Sequence, residues 1–269
     1  MFAISTSDFM KPVTEIYEEV KANIARAAAK SGRSPDEIKV VAVTKTHGPD
    51  VVAEALDAGL EIIGENKVQE AAWKKPLSPS GQEWHMIGHL QTNKVRQAME
   101  IFDCFHSVDS LKLIDRMDRV AGEIFKSPRI LLEVNVSGEK SKTGMSIDEL
   151  PRAIERVMSS KSFWLEGLMT MAPFSENSED SRPYFNKLRQ LRDEMSEKFN
   201  IPLKELSMGM SGDYLVAVEE GATFVRLGTV LFGDRPKLKR TVSSDDDTGG
   251  FSSALDSYSG EGPTFKILD

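Results

Sequence analysis

Eight short apolar runs, each followed by a polar segment with helical periodicity, constrain the fold of this 269-residue chain more than any other feature. The runs occupy residues 40–44, 61–64, 84–89, 104–108, 130–136, 165–171, 206–210 and 224–232. Near-continuous apolar strands that alternate with amphipathic helices are typical of a parallel sheet covered by helices, and eight such units favour closure into a barrel. The sequence therefore predicts an α/β fold, a single (β/α)8 TIM barrel, with an open doubly wound sheet as the alternative.

A helical stripe precedes the first apolar run, and a polar segment follows the last one. The residues of the stripe share one helix face before Gly32; they are Val13, Ile16, Val20, Ile24 and Ala28. From residue 237 onward the chain has little to bury, as in Ser-Ser-Asp-Asp-Asp-Thr-Gly-Gly at 243–250. We therefore predict an extra N-terminal helix, a barrel domain over residues 1–236 and a low-complexity, disordered tail over 237–269.

Charge and cysteine content limit the classes of function. The formal net charge of −8 argues against a broad basic face for nucleic acid or for an anionic membrane. Cys104 is the single cysteine, which excludes an intrachain disulfide and fits a reducing compartment. The sequence has no apolar stretch of membrane-spanning length, and residues 1–12 lack the pattern of a signal peptide. We expect a cytoplasmic protein that binds neither nucleic acid nor membranes.

Lys45 stands where the first predicted strand meets a loop. An amine at the mouth of a packed core has an easily lowered pKa, and a neutral amine can condense with an aldehyde to form a Schiff base. On its own the position is ambiguous, because a lysine at a strand end usually extends its ammonium group into water. In both candidate architectures functional residues gather beyond the carboxyl ends of the strands, so the residues after the other strands decide between these interpretations.

Two glycine-containing segments follow the last two predicted strands, Ser-Met-Gly-Met-Ser-Gly at 207–212 and Arg-Leu-Gly-Thr at 226–229. In a barrel these loops often bind a phosphate, because glycine lets backbone amides approach the anion and hydroxyl groups donate to it. Each segment alone is a weak signal, since glycine beside serine or threonine is ordinary turn chemistry. Together with Lys45 on the same predicted rim, they favour an anion site that contains a reactive amine.

Several other polar residues have ordinary explanations. His85 and His89 have a spacing that a metal can use on a helix, but they lie in a strand-like run without an evident third ligand, and we expect no metal site. Glu65 fits a general base, although a carboxylate paired with lysine or arginine is commoner. Lys142 is either a secondary site for an aldehyde or a solvated lysine, and solvation is favoured. We interpret Lys74 and Lys75 as a solvated helix end.

Longer motifs make the interpretation specific. They are Val-Thr-Lys-Thr at 43–46, Gly-Glu-Asn-Lys-Val-Gln-Glu at 64–70, Trp-His-Met-Ile-Gly-His-Leu-Gln-Thr-Asn-Lys at 84–94, Asn-Val-Ser-Gly-Glu-Lys-Ser-Lys-Thr-Gly at 135–144, Gly-Leu-Met-Thr-Met-Ala-Pro at 167–173, Ser-Met-Gly-Met-Ser-Gly-Asp at 207–213 and Arg-Leu-Gly-Thr-Val-Leu-Phe-Gly at 226–233. In this order they resemble the pyridoxal 5'-phosphate homeostasis protein family, which is similar in fold to the barrel domain of alanine racemase. The resemblance spans about residues 10–236 and does not reach the tail.

The resemblance implies pyridoxal 5'-phosphate as the cofactor and a role for each matching residue. Lys45 is expected to carry the Schiff base, and Arg226 to face the pyridine nitrogen. The phosphate is expected to be held by Ser207, Ser211, Gly228 and Thr229, and the residues expected near the ring are Asn66, His85 and Met210. Many family members have a bulky, often aromatic residue where this chain has Lys67, so an aromatic contact at that position is not expected here.

A cationic arginine beside the pyridine nitrogen disfavours its protonation, which weakens the ring as an electron sink for amino-acid chemistry. The similar racemases take a second acid/base from an added β-domain, and we expect no such domain here, because residues 237–269 after the predicted barrel are few and polar. The sequence therefore predicts a non-catalytic, monomeric cofactor carrier without catalytic residues, which passes pyridoxal phosphate to apo-enzymes. The alternatives are an amino-acid racemase or lyase and a regulatory protein that reports cofactor status to a partner.

Overall fold

Eight parallel strands close into a barrel in a computed structural model of the chain, which describes residues 11–139 and 142–233. The strands are β1 (Lys39–Val43), β2 (Ile62–Glu65), β3 (Glu83–Met86), β4 (Cys104–Val108), β5 (Arg129–Glu133), β6 (Trp164–Met169), β7 (Glu205–Met210) and β8 (Phe224–Leu227). Each strand pairs in parallel with its neighbours in sequence, and β8 pairs with β1. The predicted TIM barrel is confirmed.

Helices connect the strands and cover the outside of the barrel. They are α1 (Val13–Lys30), α2 (Pro49–Asp57), α3 (Val68–Lys74), α4 (Val95–Ile101), α5 (Leu111–Ile124), α6 (Leu150–Met158), α7 (Arg182–Phe199), α8 (Tyr214–Glu219) and α9 (Thr229–Phe232). The additional helix α1 packs against α8 and buries Val20 and Ile24, which confirms the predicted N-terminal helix. Within the described residues, no helix combines the length and the apolar character that a membrane crossing needs.

The core divides into two apolar clusters because side chains alternate between the two faces of each strand. On β1, Val40 and Ala42 belong to the large cluster between sheet and helices, whereas Val41 and Val43 belong to a small cluster with Phe224. The small cluster lies inside the barrel. It leaves part of the interior to polar side chains, which matter for the site below.

Four predicted strands run at least two residues past the observed carboxyl ends. The runs 130–136 and 165–171 end as strands at Glu133 and Met169, and the runs 84–89 and 224–232 also end early. The run 84–89 is a strand only to Met86. Beyond it, Gly88 lies so close to the backbone of Asn66 that an added Cβ would be 2.5 Å from its carbonyl oxygen. The run 224–232 ends as a strand at Leu227, and its last four residues form α9. Leu231 and Phe232 are as buried in this short helix as in a strand, so hydropathy alone does not distinguish the two. The predicted domain boundary at 236/237 and the predicted tail lie outside the described residues.

Candidate functional site

A cavity of about 440 Å³ opens at the carboxyl ends of the strands. This volume is within the range of small-molecule sites. Seven of the nine sequence-predicted site residues line it: Lys45, Asn66, Met210, Ser211, Arg226, Gly228 and Thr229. Most of the polar residues that the sequence places after the strand ends therefore lie around one concave surface.

Lys45 lies between two residues that are tied down by hydrogen bonds. On one side, Thr44 Oγ1 donates to Glu65 Oε1 at 2.6 Å. On the other side, the backbone N–H of Thr46 donates to Glu70 Oε1 at 2.5 Å. Thr46 has a φ of 69°, an uncommon backbone conformation for threonine that needs such support. The peptide on both sides of Lys45 is thus held against β2 and α3.

Lys74 belongs to the same hydrogen-bonded group, and its position corrects one interpretation made from the sequence. It is not at a solvated helix end: its side chain is fully buried, and Nζ donates to Thr44 O at 2.8 Å. Nζ also lies 2.5 Å from Glu65 Oε1 and 3.1 Å from Glu70 Oε1. Burial raises the pKa of Glu65, and the Lys74 ammonium group opposes this rise. We call Glu65, Glu70 and Lys74 the buried anchor.

Backbone amides converge on Ser211 at the cavity wall. The N–H groups of Gly228 and Val230, at the start of α9, donate to Ser211 Oγ at 3.4 and 3.2 Å. The loop that carries Ser211 is fixed by Asp213, whose Oδ1 accepts from Met210 N at 2.7 Å. Gly209 has a φ of +90°, and an added Cβ would lie 2.5 Å from that of Ala217. Glycine is therefore required where β7 turns into this loop.

Arg226 supplies a buried positive charge to the cavity. Its side chain projects from β8, and the residue is only 4% exposed. Nη1 donates to Ser207 Oγ at 2.7 Å and Nη2 donates to Thr170 O at 3.1 Å. Burial lowers the pKa of Arg226 to about 10, while Glu133 and Asp213 act in the opposite direction. The guanidinium group stays charged at neutral pH and faces fixed acceptors.

His85 and Ser207 do not line the cavity. Both are fully buried on strands β3 and β7, and their polar atoms bond to other interior side chains. Ser207 reaches the site only through Arg226, whose guanidinium group it accepts from. Their expected contacts with a cofactor stay predictions, and the structure gives both residues different partners.

A second cavity, of about 550 Å³, opens among residues around the opposite, amino-terminal ends of β5, β6 and β7. Arg129, Trp164, Glu166 and Glu205 are among its lining residues, and none of the nine predicted site residues is. Although it is larger, we assign the functional site to the carboxyl-terminal cavity, because amine, arginine and amide donors converge there and function in this fold is located at that face.

The chemistry of the carboxyl-terminal cavity fits a small anionic aldehyde. Lys45 offers an amine, Arg226 a fixed cation, and the loop around Ser211 offers a hydroxyl and two amides to an anion. The side-chain oxygen Oδ1 of Asn66 is buried there without a hydrogen-bond partner among the described residues. A bound molecule with a polar ring substituent can satisfy that amide. The residues of this cavity thus have the chemistry to accept a molecule that carries both a phosphate and a carbonyl group.

Comparisons with known proteins agree with this chemistry. Residues 17–236 match the family model described as the alanine racemase N-terminal domain. The chain is 43% identical over 222 residues to the pyridoxal phosphate homeostasis protein of Aquifex aeolicus. This alignment covers 82% of this chain and 97% of the relative. It is 37% identical over 238 residues to the protein of that name from Escherichia coli K12, covering 86% of this chain and 100% of the relative.

Solved structures extend the comparison to the fold. PipY of Synechococcus elongatus PCC7942, determined with PLP bound, is 34% identical with a TM-score of 0.72, covering 82% of this chain and 100% of PipY. Alanine racemase of Clostridium difficile 630 is 12% identical with a TM-score of 0.66, covering 84% of this chain and 57% of the racemase, and shows likeness of fold alone. On this evidence the chain belongs to the pyridoxal phosphate homeostasis protein family, built on the alanine racemase N-terminal-domain barrel.

Proposed function

We propose that this protein binds pyridoxal 5'-phosphate in the carboxyl-terminal cavity and holds it as a Schiff base on Lys45. In this role it keeps a reactive aldehyde out of solution and passes it to apo-enzymes, without turning over amino acids and as a monomer. The observation that carries the proposal is the presence of Lys45, Arg226 and the Ser211 amide cluster in one cavity. The names of the relatives and the PLP-bound PipY structure support it.

Different residues of the cavity are proposed to bind the aldehyde, the phosphate and the ring of the cofactor. Pyridoxal phosphate supplies an aldehyde, with which an amine forms a carbon–nitrogen double bond as one water leaves. The buried anchor keeps the Lys45 backbone in place, which restricts where the amine can reach. Ser211, with the amides of Gly228 and Val230, is the proposed phosphate site, together with Thr229. Arg226, Asn66 and Met210 are proposed to contact the ring.

The absence of amino-acid turnover is proposed from the charge next to the ring. A guanidinium group that stays protonated does not donate a proton readily to a ring nitrogen, and without that proton the ring delocalises a carbanion poorly. Among the described residues, the cavity lining contains no tyrosine that would act as a second acid/base. Incubation of the loaded protein with L- and D-amino acids is expected to leave them unchanged. Racemisation or consumption above the rate of free cofactor would support an enzyme instead.

The site of covalent attachment is tested on the loaded wild-type protein. Borohydride reduces a Schiff base to a stable secondary amine, and digestion followed by mass spectrometry locates the pyridoxyl group. We expect the group on Lys45. A group on another lysine, or no group at all, would contradict the proposed function.

Ser211→Ala is expected to weaken binding of pyridoxal phosphate by roughly 10- to 100-fold. The variant removes one hydrogen bond to a charged group, an interaction worth about 1.5–3 kcal/mol. Affinity is measured by titration of the apoprotein, followed through the visible absorbance of the bound cofactor.

Ser175→Ala is the matched control for Ser211→Ala. Ser175 lines the same cavity and is similarly half-buried, but its hydroxyl group donates to Asp180 at 2.6 Å, outside the proposed phosphate site. Pyridoxal, which lacks the phosphate, is expected to bind wild type and Ser211→Ala equally. An equal loss for both ligands would place the phosphate elsewhere.

A further inference from the structure

A line of hydrogen-bonded side chains crosses the barrel interior. Arg226 Nη1 donates to Ser207 Oγ at 2.7 Å, and Ser207 Oγ lies 2.8 Å from His106 Nδ1. His106 Nε2 lies 2.9 Å from His85 Nδ1, and His85 Nε2 lies 3.1 Å from Glu83 Oε2. The middle three residues are fully buried. We call Glu83, His85, His106 and Ser207 the interior relay; it leads from the cavity wall to the first residue of β3, at the other end of the barrel.

The position of each proton in the relay follows from Glu83. Its carboxylate also accepts from Arg129 Nη2 at 2.6 Å, and the hydrogen bonds from His85 and Arg129 lower the pKa of Glu83 to about 2. A carboxylate only accepts, so His85 Nε2 must carry a hydrogen. Arg129 Nη2 is also 3.4 Å from His85 Nε2. With a hydrogen on Nε2, both of these atoms are donors and do not hydrogen-bond to each other. His85 Nε2 therefore donates to Glu83 Oε2, which is closer at 3.1 Å.

The hydrogen on His85 Nε2 fixes the position of the hydrogen on His106, and through it the direction of the Ser207 hydroxyl group. Burial lowers the pKa of His85 and, more strongly, that of His106, so each ring is neutral and has a single N–H group. With its hydrogen on Nε2, His85 accepts at Nδ1 from His106 Nε2–H. His106 therefore accepts at Nδ1, and the hydroxyl group of Ser207 donates to it. The lone pairs of Ser207 Oγ then face Arg226.

We propose that the interior relay is a positioning device that fixes the orientation of the Arg226 guanidinium group in the cavity wall. This inference rests on the proposed function, in which Arg226 faces the bound pyridine ring. It also reassigns Ser207: its one hydroxyl hydrogen is directed to His106, so it is a support for Arg226 rather than a phosphate donor. Glu83, on the far side of the barrel, thereby acts on a cofactor that it does not touch.

The same interior region contains a grouping with metal-ligand chemistry, which the relay explains better. Ligand atoms of His85, Cys104 and His106 lie within 4.8 Å of one another. All four ring nitrogens of the two histidines already have hydrogen-bond partners. Burial raises the pKa of the Cys104 thiol, which keeps it protonated and a poor ligand. A stoichiometric metal ion in the purified protein, bound through Cys104, would overturn the relay.

The decisive variant is Glu83→Gln, with Glu166→Gln as its matched control. The Glu83 side chain is half-exposed, so the variant is expected to fold, and a glutamine amide both donates and accepts, which removes the constraint on His85. Glu166 also lies near Arg129, at 3.8 Å, but has no contact with the relay. Both substitutions remove one negative charge from the same end of the barrel. Only the first interrupts the relay.

The first measurement uses the ligand-free protein and does not depend on the proposed function. Nitrogen-15 NMR is expected to show hydrogens on Nε2 of both His85 and His106 in wild type, and resolved, slowly rotating N–H groups for Arg226. Glu83→Gln is expected to mix the histidine tautomers and to average the Arg226 signals, whereas Glu166→Gln keeps the wild-type pattern. Ser207→Ala, which removes the contact to Arg226 directly, is expected to average the same signals. Hydrogen on Nδ1 of either ring in wild type, or unchanged Arg226 signals in Glu83→Gln, would overturn the proposal.

The second measurement uses the loaded protein. Glu83→Gln is expected to shift the visible absorption band and to weaken affinity for pyridoxal phosphate about fivefold, the lower range of coupling between separate sites, and Glu166→Gln is expected to do neither. If Glu83→Gln lowers only the thermal stability and leaves band and affinity unchanged, the relay is structural and the proposal fails. A wild-type protein without a visible band would instead refute the Schiff base on Lys45, and the NMR result would still decide the relay.

Discussion

Replacing Lys45 with alanine is expected to abolish the visible absorbance of the loaded protein and its retention of pyridoxal phosphate on desalting. The remaining contacts, from Ser211, Arg226 and Asn66, are reversible, so the cofactor dissociates as free ligand is removed. The fold should survive, because the buried anchor holds Thr44 and Thr46 through groups other than the Lys45 side chain. Absorbance spectra before and after desalting, with thermal unfolding as a check on the fold, measure the effect.

Two controls separate loss of the amine from loss of charge or of any nearby lysine. Lys45→Arg keeps a positive charge but lacks an amine that condenses with an aldehyde, so it is expected to behave like Lys45→Ala. Lys142→Ala removes a lysine whose Nζ donates to the carbonyl of Met171, a cavity residue, and whose pKa is lowered by burial. That variant is expected to stay coloured. A colourless Lys142→Ala beside a coloured Lys45→Ala would move the Schiff base to Lys142.

The architecture was accessible from the sequence because hydrophobic periodicity and topology are coupled in a parallel barrel. Each apolar run has to be buried on both faces, and the alternation with helices permits few arrangements. For the same reason the strand-end rule collected Lys45, Asn66, Ser211 and Arg226 into one cavity. Proximity on the rim follows from the fold class alone, without knowledge of any side-chain contact.

Depth within the barrel was not accessible in the same way. Ser207 and Ser211 both belong to the segment around the end of β7, yet one is interior and the other lines the cavity. A difference of four residues along a strand spans more than 10 Å, which separates a rim residue from one in a lower layer. His85 is likewise placed by its register, since it pairs with Gly64 and Cys104 across the sheet. The depth of a side chain within the barrel requires the register between strands, and the apolar pattern does not specify that register.

The burial of Lys74 was missed for a different reason. A lysine beside Lys75 at the end of a short helix is normally solvated, and a buried ammonium group is rare unless it is paired. One signal was present, since Glu70 and Lys74 are four residues apart on α3, where such pairs contact. The decisive partner, Glu65, is on another element and becomes visible only when β2 and α3 pack together.

Lys74→Met is expected to lower the free energy of unfolding by about 3–5 kcal/mol, measured by urea denaturation. Removing one partner of a buried ion pair leaves the other charge without compensation, and Glu65 and the carbonyl of Thr44 lose their donor together. Lys67→Met, directly before the same helix, removes an equal charge at an exposed position and is expected to change stability by less than about 0.5 kcal/mol. Adding Glu65→Gln to Lys74→Met should recover part of the loss, because no buried charge is then unpaired.

The pH dependence distinguishes an unpaired carboxylate from a simple packing defect. Without Lys74, burial raises the pKa of Glu65 further above its unfolded value, so the folded state binds the additional proton. The loss of stability is then smallest below the unfolded carboxyl pKa of about 4.3, and it grows as pH rises through the raised folded pKa. A packing defect would cost the same at every pH.

Because the anchor also holds the backbone at Lys45, Lys74→Met is expected to slow Schiff-base formation at neutral pH, while Lys67→Met keeps the wild-type rate. Full loading speed in Lys74→Met would show that the anchor stabilises the barrel without positioning the reactive lysine.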